Sequence, residues 1–342
     1  MDDGGGEEVM QVMSEVHLGC PPASSGPHFS NFIVSVPSEL VSSVWNFVEE
    51  EAEVQKEKQV ILDEDGDLVV TRRSEAVPCW SSRDADLRSR CFNVIIKHCI
   101  KSSIPAVGLQ VWKAELALSD FVLHSIYTSS MFDNIISIEL GAGTGLVGML
   151  VARIAKTVFL TDCGDNVLDN CYQNVRLNFK TLKYKSNVCV RELDWREYWP
   201  PVVDRKCSIL PDRYRWTSSE VEEAEDASIL LAADVIYSDD LTDALFSTLE
   251  RLMSRGSEKV LYLALEKRYN FSLDDMDVVA NGYSCFLSYV RNEGDTISNH
   301  AASQPGFMGK HIDLTKVPQY VLNYNRGEDV EIWEIKYMRA RS

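Results

Sequence analysis

No two of the nine cysteines, at 20, 79, 91, 99, 163, 171, 189, 207 and 285, are separated by just two residues. The spacing of a zinc knuckle is therefore missing, and an odd number scattered this widely offers no disulfide framework. The thiols read as reduced apolar fillers, and no metal is expected. Long apolar runs are missing as well, since no window approaches the roughly 18 uncharged residues that cross a bilayer. The first residues, Met1-Asp2-Asp3-Gly4, are acidic where a secretion signal would be basic and then apolar. A soluble intracellular chain with no membrane partner is the expectation. Positive charge is scarce too: 34 Lys and Arg against 52 Asp and Glu leave a net charge of −18. That balance argues against direct binding of nucleic-acid phosphates, whose affinity comes from cations on the protein. It suits a basic protein partner, or solubility alone.

What remains is a chain of 342 residues with 45% hydrophobic content, enough for one catalytic domain plus an accessory segment. Residues 1–58 lack periodicity and carry the Pro21-Pro22-Ala23-Ser24-Ser25-Gly26-Pro27 cluster, so a poorly ordered acidic arm is expected, with one short helix over 40–51. Residues 59–104 read as an accessory β segment and 105–342 as the catalytic domain. In the former, Asp63-Glu64-Asp65-Gly66-Asp67 resembles a calcium loop but fails its template. The sixth and twelfth positions hold Leu68 and Ser74 instead of Gly and Glu, so a turn between strands at 59–62 and 68–71 is the reading.

From residue 92 onward, short β-rich runs alternate with helical ones, the pattern of a sheet covered by helices on both faces. Strands are predicted at 92–98, 134–140, 157–161, 188–193, 228–236, 259–265, 311–314 and 329–337. Helices are predicted at 110–127, 145–156, 165–178, 241–254 and 273–289. A polar insertion is expected over 199–226.

The strand at 134–140 runs into Glu139-Leu140-Gly141-Ala142-Gly143-Thr144-Gly145-Leu146. Glycines at a strand-to-helix turn leave backbone N–H groups bare for a polar ligand. A dinucleotide loop needs a small residue where Leu146 stands, and a P-loop needs a lysine that is absent. The remaining pattern, acidic-x-G-x-G-x-G, resembles motif I of class I S-adenosylmethionine methyltransferases. In that family the amino acid part of the cofactor lies over the glycines with the acidic residue, here Glu139, beneath. Asp162 ends the next strand, where it can accept both ribose hydroxyls or simply cap the following helix. Asp194 and Trp195 end the third strand, suited to the adenine amino group and ring. Asp234 and Tyr237 end the fourth, at the sheet edge where ligands meet, unless they only cap a turn.

Together with Gly108-Leu109-Gln110-Val111-Trp112, these motifs resemble the family 16 methyltransferases, a group rich in protein-lysine methyltransferases. The resemblance implies a class I α/β fold: a seven-stranded Rossmann-like sheet with helices on both faces and an antiparallel last strand. It implies S-adenosyl-L-methionine as cofactor, contacted by Trp112, Gly141, Ala142, Gly143, Asp162, Trp195 and Ala233, with Gly145 completing the loop. It also implies that Asp234 to Tyr237 line a lysine channel. Methyltransferases of planar amides or adenine carry two prolines inside this four-residue element; here Val235 and Ile236 stand there, which favours lysine. The implied substrate is a lysine of a nuclear nucleic-acid-binding protein, with chaperones as further partners and the chain a monomer of the nucleus or cytoplasm. A small-molecule methyltransferase and a non-catalytic scaffold are the alternatives, because fold does not fix function.

Overall fold

The computed structural model describes residues 11–14, 16, 27–36, 91–182, 184, 186–201, 203, 212–272, 277–293, 305–322 and 324–339. The expected helix at 40–51 and the loop at 63–67 with its flanking strands lie outside them. The chain divides into one unit of residues 1–34 and 92–342 and a second of 35–91. The sheet and the candidate site belong to the first unit.

Four apolar runs form the centre of that unit: β5 (Ile136–Leu140), β6 (Thr157–Asp162), β8 (Ile229–Ala233) and β9 (Val260–Glu266). Each is buried along nearly its whole length, as strands covered on both faces must be, and they pair in parallel with β7 (Asn187–Glu192) at one edge. Beyond β9 the sheet continues through β14 (Val330–Met338), antiparallel to both neighbours, and β13 (Gly306–His311). The last strand is antiparallel, as predicted. A three-residue edge strand, β12 (Val290–Asn292), pairs parallel with β13, so the sheet has eight strands where seven were expected. Three residues are too few to carry a legible period.

The order β12-β13-β14-β9-β8-β5-β6-β7 puts β5 at the point of reversal: the chain proceeds outward through β6 and β7, then returns to β8 on the other side. Such a switch point opens a crevice beyond the carboxyl ends of the strands. Helices α1 (Lys113–Thr128), α2 (Leu146–Val151), α3 (Asp165–Leu182) and α5 (Asp239–Met253) supply the layers beside the sheet. α1 starts three residues later than predicted, because Gln110 and Trp112 are extended after a 3-10 turn over Ile104–Leu109.

Three expectations need correction. The segment read as a polar insertion contains α4 (Ser218–Glu225), capped by Thr217, whose hydroxyl accepts from the N–H of Glu220 at 3.3 Å while the Glu220 carboxylate accepts from the N–H of Thr217 at 3.0 Å. Trp199 and Trp216 bury their rings there, edge to face at 5.3 Å. The helix expected over 273–289 is shorter, α6 (Asn281–Tyr289), preceded by a hairpin of β10 (Asn270–Ser272) and β11 (Asp277–Val279). Adjacent valines at 278 and 279 favour the extended chain. The presumed arm contributes strands: β1 (Gln11–Met13) pairs with β4 (Lys101–Ser103), and β2 (Pro27–Ser35) with β3 (Cys91–Cys99). In β2 the alternate residues Ser30, Phe32 and Val34 are buried, a period of two hidden in a short polar-apolar mixture. Gln110 fastens β1 by donating to the carbonyl of Val12 at 3.1 Å. Among the described residues, no helix is long and apolar enough to cross a membrane.

Candidate active site

The crevice at the switch point is a cavity of about 440 Å³, within the usual range for a small-molecule site. Its floor is the turn after β5. There Gly143 takes φ +51°, and a Cβ on it would stand 3.0 Å from the carbonyl oxygen of Gly108, so both the backbone angle and the space require glycine. The Gly143 N–H donates to Asp162 Oδ2 at 2.7 Å, locking the turn to the end of β6. Of the predicted site residues, Trp112, Glu139, Gly141, Ala142, Gly143, Asp162, Asp194, Trp195, Ala233, Asp234 and Tyr237 line this one cavity. Gly145 does not. It caps α2 at φ +81°, and a Cβ there would meet Cys171 Sγ at 2.8 Å, so its glycine serves the packing of α2 against α3.

Glu139 is 1% exposed and accepts from the N–H of Gly148 at 2.8 Å, holding the first turn of α2 above β5. Burial, then the neighbouring Glu115 charge, pushes its carboxyl well above the usual range. Asp162 accepts from both Gly143 and Cys163 N–H groups at 2.7 Å, and burial pushes it up to about 6. Each of its oxygens keeps a lone pair, enough for two hydroxyl donors.

Glu115 is the cavity carboxylate that sequence reasoning missed. It sits in the first turn of α1 and accepts from the Thr144 hydroxyl at 2.5 Å and the Trp112 N–H at 3.4 Å. Burial pushes it up to about 7, against the opposing pull of its hydrogen bonds to Thr144, Trp112 and Leu146.

At the other end of the cavity Asp234 follows β8 with φ +57°, a conformation that costs a non-glycine residue about 1 kcal/mol. Its side chain is 2% exposed; Oδ2 accepts from Arg268 Nη2 at 2.6 Å, and Oδ1 has no hydrogen-bond partner among the described residues. Arg268 also lies over the Trp112 ring at 5.0 Å and was not foreseen as a site residue. Tyr237 is 41% exposed at the rim. Burial, then the Asp162 charge, pushes its phenol up to about 12, so it stays protonated. The Trp195 ring lies 3.3 Å from the point a Gly141 Cβ would occupy, flat ground for a base beside the loop.

The expected cofactor fits these residues. It carries a sulfonium and an ammonium, and the cavity answers with five carboxylates, at Glu115, Glu139, Asp162, Asp194 and Asp234. Its amino acid part needs a bare backbone, which Gly141 to Gly143 provide. No cluster of side chains able to hold a metal ion occurs among the described residues.

Comparison with known proteins agrees with this geometry. Residues 95–210 and 203–281 match the model of the family described as lysine methyltransferase. The chain is 33% identical to methyltransferase-like protein 22 of Mus musculus, over 92% of this chain and 80% of that protein. It is 32% identical to methyltransferase-like protein 22 of Homo sapiens, over 82% and 72% respectively. A protein-lysine N-methyltransferase of Mus musculus, EEF2KMT, is 28% identical over 46% of this chain and 44% of its own.

Proposed function

The chain belongs to the lysine methyltransferase family, and from that premise we propose that its acceptor is a lysine on a basic, nucleic-acid-binding protein of the nucleus or cytoplasm. The activity itself is S-adenosylmethionine-dependent protein-lysine N-methylation. The observation that carries the choice of acceptor is Asp234 Oδ1, a buried carboxylate oxygen without a partner on the same cavity as the glycine loop. An amine N–H is the donor it lacks. The net charge of −18 supports a basic partner.

S-adenosylmethionine supplies an electrophilic methyl on sulfur, which leaves with no need for a general base once a nitrogen lone pair is in line. The protein's work is therefore placement. Gly141 to Gly143 carry the amino acid part against their backbone. Asp162 accepts the ribose hydroxyls, and Asp194 with Trp195 takes the adenine. Ala233 leaves room beside the strand end. Asp234 orients the lysine nitrogen, and Tyr237, protonated at every physiological pH, forms the channel wall. A lysine titrates near 10.4 in water, about 3 units too high to be neutral at pH 7, so desolvation in the channel has to favour the neutral form. Chaperones as further partners and a monomeric state belong to the same proposal.

Incubation with tritiated S-adenosylmethionine and a nuclear extract tests it. Label in a discrete protein band, lost with Asp234→Ala while affinity for the uncharged product S-adenosylhomocysteine is kept, is the expected result. Label confined to the small-molecule fraction, or undiminished turnover by Asp234→Ala, overturns the proposal.

A further inference from the structure

Arg268 lies two residues beyond β9, outside every motif discussed above, yet its guanidinium contacts Asp234 and Trp112, two of the residues that line the cavity. Nη2 stands 2.6 Å from Asp234 Oδ2 and 3.8 Å from Glu266 Oε2, and the group is laid over the Trp112 ring. Glu266 in turn pairs with Lys113. Two cations and two carboxylates thus alternate along a row, Lys113, Glu266, Arg268 and Asp234, whose formal charge is zero. Its last oxygen, Asp234 Oδ1, is the unpartnered one.

We infer that Arg268 is a positioning residue for the methyl acceptor: it occupies one oxygen of Asp234, leaves the other for the amine, and cancels the charge that would hold that amine as ammonium. The inference rests on the reading of Asp234 as the lysine's partner. A buried carboxylate facing an amine on its own favours the protonated form, because an opposite charge within about 4 to 6 Å raises an amine's pKa by 1 to 3 units. An ammonium has no lone pair and cannot attack. A carboxylate already paired with a guanidinium still accepts a hydrogen bond from the neutral amine, but its net pull on a proton is weakened. The nucleophilic step then balances: the lone pair forms the new N–C bond, the S–C pair returns to sulfur, and the proton of the methylated nitrogen leaves to water. Other titratable groups face Asp234 as well. Glu115 projects from α1, Tyr237 lies in its own loop, and Glu266 with Lys113 stands behind Arg268. Of these only Arg268 touches the carboxylate.

The test uses the full chain and two cofactor analogues, so no protein substrate is needed. Sinefungin carries a protonated amine where the sulfonium methyl would be, and S-adenosylhomocysteine is neutral at that point. Calorimetry at pH 7.5 gives the ratio of their affinities. Arg268→Gln is expected to raise the preference for sinefungin about tenfold, with S-adenosylhomocysteine little changed, while Arg268→Lys keeps the wild-type ratio. Adding Asp234→Asn to Arg268→Gln should abolish the gain. Glu266→Gln, which leaves the row with an extra positive charge, should lower the ratio, and it decides the matter if Arg268→Gln fails to fold. A ratio unmoved in Arg268→Gln, an equal gain in Arg268→Lys, or a rise in Glu266→Gln overturns the inference. These results leave the lysine reading standing, whereas full methylation by Asp234→Ala removes that reading and this inference with it.

Discussion

Replacing Glu115 with Gln separates what the cavity costs the empty protein from what it does for the ligand. In the unfolded chain this carboxyl titrates near its ordinary value of 4.5, and in the folded protein near 7, because burial disfavours the charged form. The folded pKa is the higher one, so between those values the folded state binds more protons than the unfolded, and stability falls as pH rises. At about 1.4 kcal/mol per pH unit, the interval from 4.5 to about 7 corresponds to a loss of about 3 kcal/mol, complete above pH 8. Glutamine has nearly the same shape and can still accept from Thr144, but it does not titrate. Its amide must turn one N–H₂ toward the N–H groups of Trp112 or Leu146, a penalty of about 1 kcal/mol that does not depend on pH. Glu115→Gln should therefore be the less stable protein at pH 5 and the more stable at pH 8. The difference between the two proteins should change by about 2 to 3 kcal/mol across that range, read by urea unfolding without cofactor. Cofactor affinity of the variant should fall at pH 8, where the carboxylate's attraction for a cation is lost. Stability curves that run parallel from pH 5 to 8 would refute the reasoning.

Two further substitutions probe the frame around the cavity. Gly143→Ala puts a Cβ 3.0 Å from the Gly108 carbonyl at φ +51°; a stability loss of about 1 to 2 kcal/mol and at least tenfold weaker cofactor binding by calorimetry are expected, and wild-type affinity would contradict the tight approach. Asp120→Ala removes a carboxylate, 0% exposed, that accepts from the N–H groups of Tyr320 and Val321, the Tyr324 hydroxyl and Arg326. It should cost about 3 to 5 kcal/mol in denaturant unfolding while cofactor affinity at low temperature is kept, since the stranded Arg326 lies outside the cavity lining.

The parts of the site legible in the sequence are those on the ends of apolar parallel strands. Asp162 ends such a run, Asp234 follows one and Asp194 follows the edge strand β7, and a strand covered on both faces leaves its carboxyl end as the first place a polar side chain is tolerated. The glycines of the β5 turn were legible for the same reason, although Gly145 shows that glycine at the right spacing also serves helix packing. Glu115 was not legible. Three residues after Trp112, an acid at the start of a helix reads as a solvated first turn, and only the burial of α1 on nearly every side makes it part of the cavity. Arg268 was hidden for a different reason: its partners Asp234 and Trp112 are 34 and 156 residues away in sequence, joined only by the pairing of β8 with β9 and the placement of α1. The cap at Thr217 and Glu220 was present as a motif, but the surrounding polar residues masked the helix it begins.

The distribution of unsatisfied charge locates the function independently of any motif. Elsewhere three buried or half-buried ions are fully paired. The Lys259 ammonium donates to the carbonyls of Glu225, Arg255 and Ser257 at 2.6, 2.8 and 3.1 Å. Glu331 accepts from Tyr283 and Trp333, both at 2.9 Å, and pairs with Lys267 at 2.6 Å. Asp120 gathers four donors. The same chain leaves Asp234 Oδ1 without a partner among the described residues, holds Asp234 in a left-handed backbone conformation, and buries Glu115 and Glu139 deeply enough that burial drives each carboxyl upward, with the Glu115 charge adding to the shift of Glu139. A fold able to pair buried charge so completely in three places has no need of a deficit in a fourth, unless something outside the chain supplies the missing partner. The deficit is one of positive charge and of hydrogen-bond donors, and it lies at the sheet's switch point. A sulfonium cofactor and a lysine amine bring both.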